Sequence, residues 1–121
     1  MSAVHQTVGT LVLLAYLASL IVNGLGLTGR TLTWGRYVSM AGSTLLLLQI
    51  VLGFSLLGEG EENAAAHYVL AIAALLSLGL EHGYARSQPT AEGRFRWGAI
   101  ANAITLVLVL ITYIVGQTNA S

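Results

Sequence analysis

The chain has 121 residues, of which 55% are hydrophobic and 8% are charged, and its formal net charge is zero. Soluble domains carry about 25% charged residues, so this composition predicts a protein that folds in a lipid bilayer. The absence of cysteine excludes disulfides, thiolate metal sites, iron–sulfur clusters and covalent c-type haem attachment. The balanced charge gives no general attraction to nucleic acid, which is not an expected partner.

Four apolar segments follow one another along the chain, separated by three short polar breaks. They cover roughly residues 4–25, 33–57, 64–84 and 95–115. Each reaches the roughly 20 residues needed to cross a hydrocarbon core of about 30 Å. Lipid offers no partners to backbone amides and these runs lack the alternation of barrel strands, so each segment is predicted to be a helix. Residues 1–121 are expected to form a single all-α domain, a transmembrane four-helix bundle with both termini on one side.

The charged residues predict the orientation of the bundle. Every cation flanks the first or the third break: Arg30, Arg36, Arg86, Arg94 and Arg96. The second break carries only acidic side chains: Glu59, Glu61 and Glu62. Because basic loops are retained on the cytoplasmic side, the termini and the acidic break are expected to lie on the outer side.

Two histidines occupy equivalent places in this pattern. His5 lies at the head of the first segment and His67 at the head of the third, so both rings are expected at one depth near the outer surface. Cofactors of helical bundles are held by side chains on facing helices. One turn deeper on the same faces lie Gly9 and Ala71. Small residues there would leave room for a flat macrocycle, whereas zinc would need further ligands, so the pattern favours haem over a bare ion.

Simpler explanations of the histidines stay open on spacing alone. A lone histidine near a helix end is commonly a hydrated interfacial side chain, and small residues commonly serve helix packing. His82 lies about 22 Å deeper than His67, at a rise of about 1.5 Å per residue. It is expected to be interfacial, beside Glu81 and Arg86, rather than to share a second haem with Met40.

Short motifs around both histidines resemble those of the haem A synthases. HQTVGTLV at residues 5–12 is similar to the histidine-headed, HxxxGxLV-like start of a helix in that family. Gln49 to Gly53, followed by the triplet 66–68 (AHY), resembles its QxxLG helix, outer loop and AH-headed helix. Those proteins have eight helices in two related halves, each with a histidine pair around a haem. The resemblance covers residues 5 to about 86 and implies that His5 and His67 are the axial ligands of one haem.

The chain also departs from that family. It is one half-unit long, has no loop cysteines, and has no glutamate before His5. The haem-oxidising activity of that family is therefore not expected of this chain, and the chain is not expected to be an enzyme. The hypothesis is a b-type, bis-histidine haem protein for electron transfer, or a haem-carrying subunit of a larger respiratory or photosynthetic complex. The alternative is a scaffold or a pigment-binding accessory subunit without haem.

The expected surroundings follow from this hypothesis. The protein is expected in a prokaryotic plasma membrane as a multi-pass protein, in contact with lipid and with a second copy or the subunits of a redox complex. Depth alone makes Tyr113 a candidate to line the pocket, and Gln6, Asn63 and Gln117 are candidates to bind the haem propionates.

A proton-coupled multidrug transporter is the remaining class to weigh, because some such proteins are four-helix chains of this length. It needs an ionisable residue inside the membrane. The pattern places Glu81 at a membrane edge and Glu92 in a loop, so no buried carboxylate is expected. That expectation argues against transport.

Overall fold

A computed structural model describes residues 3–30, 33–58 and 65–119, and within these ranges the protein is helical apart from short turns. The helices are α1 (Ala3–Leu27), α2 (Gly35–Gly58), α3 (Ala65–Gly79) and α4 (Ala91–Asn119). A π-helical turn at Leu80–Ala85, here called the π segment, continues α3. Four helical stretches are long and apolar enough to cross a membrane, as the composition predicted. The acidic break, with Asn63, lies outside the described residues.

Local sequence signals explain where α1 ends and where α4 begins. Gly29 adopts a φ of 91°, and the amide of Arg30 donates to the carbonyl of Leu25, closing α1. Glycine suits this position because a left-handed conformation costs other residues about 1 kcal/mol or more. Thr90 follows Pro89 and accepts a hydrogen bond from the amide of Gly93, which caps α4. Helix α4 therefore begins about four residues earlier than its apolar run.

The four helices differ in how closely they pack. Helix α1 packs along α2 and α4, and α3 packs along α4, whereas α2 and α3 meet at only a few positions. Among the described residues, no Cα atoms of α1 and α3 come within 8 Å of each other, so these two helices form one diagonal of the bundle. The two predicted ligands sit on this diagonal pair.

Packing in this bundle is the reverse of that in a soluble protein. Three of its four largest fully buried side chains are polar, namely Tyr16, Asn102 and Thr105, and the fourth is Val12. Many leucine, valine and isoleucine side chains face outward, such as Leu14 and Leu76. Lipid is as apolar as leucine, so it solvates these side chains, and helix association relies on close packing and interhelical hydrogen bonds.

Two polar clusters join the helices inside the bundle. Oδ1 of Asn102 on α4 accepts hydrogen bonds from Ser19 at 2.9 Å and from Asn23 at 2.6 Å, both on α1. Ser77 on α3 and Thr105 on α4 share a hydrogen bond of 2.5 Å. Helix α4 is therefore linked to both α1 and α3.

Candidate functional site

The structure brings His5 and His67 together at one end of the bundle, here called the histidine end. Their ring centroids are 6.4 Å apart and their ring planes are inclined at 74°. His5 is buried, with 5% of its surface exposed, and His67 is half-buried. Two residues far apart in the sequence thus meet across the diagonal of the bundle.

This separation can be compared with that of two imidazoles bound to one metal. A ring nitrogen lies about 1.15 Å from the centre of a five-membered ring, and a metal–nitrogen bond is about 2.0 Å long. Two imidazoles on opposite sides of one metal would therefore have centroids about 6.3 Å apart. The observed 6.4 Å agrees with this value. Rotation about a metal–nitrogen bond leaves the separation unchanged, so inclined ring planes are compatible with such ligation.

The orientation of His67 is fixed by a backbone group of α4. Its Nδ1 lies 2.9 Å from the carbonyl oxygen of Thr112. A carbonyl can only accept, so Nδ1 carries the hydrogen and donates it, and in the neutral ring Nε2 keeps its lone pair. Metal-binding histidines commonly use their second nitrogen in this way. Nothing in the side-chain pattern signals this contact, because the acceptor belongs to the backbone.

Helix α2 closes the other side of His5. The side-chain nitrogen of Gln49 lies 3.4 Å from Nε2 of His5. A Cβ atom added to Gly53 would lie 3.2 Å from Cε1 of His5, so the glycine lets α2 approach the ring closely. The sequence placed Gln49 and Gly53 only in a motif of the resemblance, yet both residues contact the site.

The remaining candidate residues form a layer below the rings. A Cβ atom at Gly9 would lie 3.0 Å from the side-chain nitrogen Nε2 of Gln49 and 3.3 Å from Cδ2 of Tyr113. The hydroxyl of Tyr113 is 3.3 Å from that of Thr10. Gly9 and Tyr113 are thus adjacent, and Ala71 is half-buried one turn below His67. Room for a macrocycle beside Gly9 requires Gln49 and Tyr113 to turn away.

Two observations make such a rearrangement of Gln49 inexpensive. Its Oε1 is buried and makes no hydrogen bond with any described residue. Among the described residues, its side-chain nitrogen makes a single hydrogen-bonding contact, a long one of 3.4 Å. A buried amide that is poorly paired loses little when it moves to a better partner. The separation of the two rings therefore suits two ligands of one iron, whereas a macrocycle beside Gly9 requires Gln49 and Tyr113 to move.

Metal ions without a macrocycle find fewer ligands here. Within the described residues, no three histidine, aspartate or glutamate side chains converge to hold a metal ion. Of the predicted propionate partners, Gln117 has a buried side-chain nitrogen with no hydrogen-bond partner in the described part of the chain. Gln6 is half-buried on α1, and Asn63 lies outside the described residues.

The opposite end of the bundle, here called the arginine end, corrects one expectation. Glu81 is not at an exposed edge: only 4% of its surface is accessible, and Ser39 on α2 donates to its Oε2. The π segment turns the next residue toward the same helix, so that Nε2 of His82 lies 2.6 Å from the hydroxyl of Ser43. Met40 is 48% exposed. The prediction that no carboxylate is buried was wrong, so it no longer argues against transport.

Sequence and structure together define a class: a multi-pass membrane protein built from four apolar helices, with a histidine pair at one end. Comparison with family models, characterised proteins and solved structures finds no match to this chain. The short motifs around His5 and His67 therefore stand as a resemblance, and function has to be inferred from the site itself.

Proposed function

We propose that the protein is a b-type haem protein of the membrane, with His5 and His67 as the axial ligands of a single haem. The observation that carries the proposal is the 6.4 Å separation of the two rings, which matches the spacing needed to share one iron. The hydrogen bond from His67 to Thr112 adds support, because it leaves Nε2 of His67 free to bind metal.

The residues around the pair determine what such a site can do. A haem supplies one-electron chemistry, and two histidine ligands leave no open position on the iron for oxygen. The chain's own contribution is to hold both rings in place, through Thr112 on one side and Gly53 on the other. Burial of His5 keeps water from its ring. These features favour electron transfer, by the protein itself or within a larger membrane redox complex, over catalysis.

The test is the absorption spectrum of the purified protein after haem has been added. A Soret band that sharpens on reduction by dithionite, with a narrow α band, is expected for the unaltered chain. His5→Ala and His67→Ala are each expected to lose bound haem, whereas His82→Ala, at the arginine end, is expected to keep it. Circular dichroism checks that the variants stay helical. Full haem retention by both of the first two variants refutes the proposal.

A scaffold or pigment-binding subunit is the second candidate, favoured by the contact between Gln49 and His5. In that arrangement the side chain of Gln49 lies against His5, so that His5 serves as a hydrogen-bonding residue between α1 and α2 rather than as a ligand. A pigment would need only one imidazole, that of His67. A colourless preparation that takes up no haem would support the scaffold, and far-red absorption would support pigment binding.

We also propose that the histidine end faces the outside of the cell and the arginine end the cytoplasm. The support is the charge pattern, because all five cations flank the first and third breaks. The chain has no cysteine, so single cysteines can report the orientation. Ser121→Cys is expected to react with an impermeant maleimide on intact cells, and Ser87→Cys only after lysis. The opposite pattern of labelling would reverse the assignment.

A further inference from the structure

The arginine end contains a cavity of about 500 Å³ that the haem proposal does not use. Residues from α1, α2, α4 and the π segment line it, including Asn23, Ser39, Glu81 and Arg36. It lies at the opposite end of the bundle from the histidine pair. A π-helical turn forms part of its wall, and such turns are frequent at functional sites.

A buried carboxyl group forms the deep part of this cavity. Glu81 is 4% exposed, and Ser39 donates to its Oε2. Its Oε1 is closed to solvent and makes no hydrogen bond with any described residue, and Nε2 of His82 lies 3.6 Å from it. An acidic oxygen held at membrane depth without a donor is costly unless a ligand or water supplies one.

Guanidinium groups surround the same cavity. Arg36, Arg86 and Arg94 line it, and all three are exposed residues. Arg94 donates to the carbonyl oxygen of Gln88, but within the described residues no hydrogen bond or ion pair involves the side chain of Arg36 or Arg86. Arg36 and Arg94 also lie in the first turns of α2 and α4, where the helix dipole is already positive. Cations there do not stabilise their helices, but they do attract an anion.

The cavity thus presents a hydrogen-bond acceptor deep inside and cations at its exposed side. A matching ligand carries a phosphate and, a few bonds away, a group with N–H donors. Arginine binds phosphate through paired N–H groups, and basic pockets between membrane helices bind lipid headgroups. We propose that this cavity binds a phosphoethanolamine headgroup, with its phosphate at Arg36 and Arg86 and its ammonium at Oε1 of Glu81.

Other amphiphiles match less of the cavity. A phosphocholine headgroup has the same phosphate, but its methylated nitrogen has no hydrogen to donate to Glu81. Phosphoglycerol has hydroxyl donors and no positive charge. A quinone ring offers carbonyl acceptors to the arginines and nothing to the carboxyl oxygen.

Native mass spectrometry of the delipidated protein in detergent tests the proposal. The probes are phosphatidylethanolamine, its mono- and dimethylated forms, phosphatidylcholine and phosphatidylglycerol, all with the same acyl chains. Binding is expected to fall in steps as the nitrogen is methylated, by at least fivefold in total. Because this series uses the unaltered protein, it does not depend on any variant folding.

Variants then assign the two halves of the headgroup. Glu81→Gln is expected to abolish the preference for ethanolamine over choline, whereas Arg36→Gln with Arg86→Gln is expected to weaken both lipids alike. The matched controls are Glu92→Gln and Arg96→Gln, whose side chains pair with each other at 2.5 Å and do not line the cavity.

Several results would overturn the assignment. Equal binding of the ethanolamine and choline lipids by the unaltered protein is one, and retention of the preference by Glu81→Gln is another. Tighter binding of phosphatidylglycerol would mean that the arginines recognise net negative charge alone. Displacement of the bound lipid by an equimolar short-chain benzoquinone would assign the cavity to quinones. None of these results bears on the histidine pair.

Discussion

Asn102 connects α4 to α1 at the centre of the bundle, and its replacement by alanine tests how the helices are held together. The side chain is fully buried, and Oδ1 accepts hydrogen bonds from Ser19 and Asn23. Asn102→Ala removes both bonds and leaves two donors on α1 without this acceptor.

The size of the effect follows from the two bonds and one offsetting term. Interhelical hydrogen bonds in membranes contribute about 0.6 kcal/mol each on average, so two bonds contribute about 1.2 kcal/mol. The hydroxyl of Ser19, a 2% exposed residue, loses its acceptor, which costs about a further 1 kcal/mol. Nδ2 of Asn102 has no partner among the described residues, so its removal recovers part of this cost. The net expectation is a loss of about 1–2 kcal/mol in the free energy of unfolding.

Unfolding by titration with SDS in mixed micelles, followed by circular dichroism, measures this loss. A double-mutant cycle with Ser19→Ala isolates one bond, and its expected coupling energy is about 0.6 kcal/mol. The control is Thr44→Val, because that exposed hydroxyl donates to the carbonyl of Met40 on its own helix and, among the described residues, to no other helix. A loss below about 0.5 kcal/mol for Asn102→Ala, with no coupling to Ser19, would show that close packing rather than this cluster holds α1 to α4.

Two glycine substitutions give further expectations. Gly53→Ala places a methyl group 3.2 Å from the ring of His5, and this overpacking is expected to cost about 1 kcal/mol. Haem retention, measured by transfer to apomyoglobin, is then expected to weaken about fivefold. Gly24→Ala, which meets no atom within 4 Å, is its control, and equal retention by the two variants would contradict the role given to Gly53. Gly29→Ala forces a left-handed conformation on alanine and is expected to cost about 1 kcal/mol in the SDS titration, and an unchanged midpoint would count against that reasoning.

The histidine pair shows how far the sequence alone could go. Equal depth of His5 and His67 follows from counting residues into helices that cross in the same direction, so residue positions are enough to select the pair. Their partners are not predictable in this way. The Thr112 carbonyl belongs to the backbone and carries no side-chain signal, and the approach of Gly53 depends on the angle between α1 and α2.

Glu81 shows where counting along the chain fails. Its position near the end of an apolar run predicts an exposed edge, yet the π segment turns Glu81 and His82 together toward α2, where Ser39 and Ser43 bind them. A turn with an extra residue shifts the facing of every side chain within it, and hydropathy does not record that shift. The cavity and its buried carboxyl group, that of Glu81, could therefore not be predicted from the sequence.

Composition by itself determined that this chain consists of four apolar helices, because a long run without charges has no other way to satisfy its backbone in lipid. Tertiary packing decided which faces of those helices meet. These contacts set the separation of the two rings at the histidine end and formed the cavity lined by Glu81 and the arginines at the arginine end. The physical reason is that lipid solvates leucine as well as another helix does, so apolar residues specify no contact, and sparse polar and small residues select the arrangement.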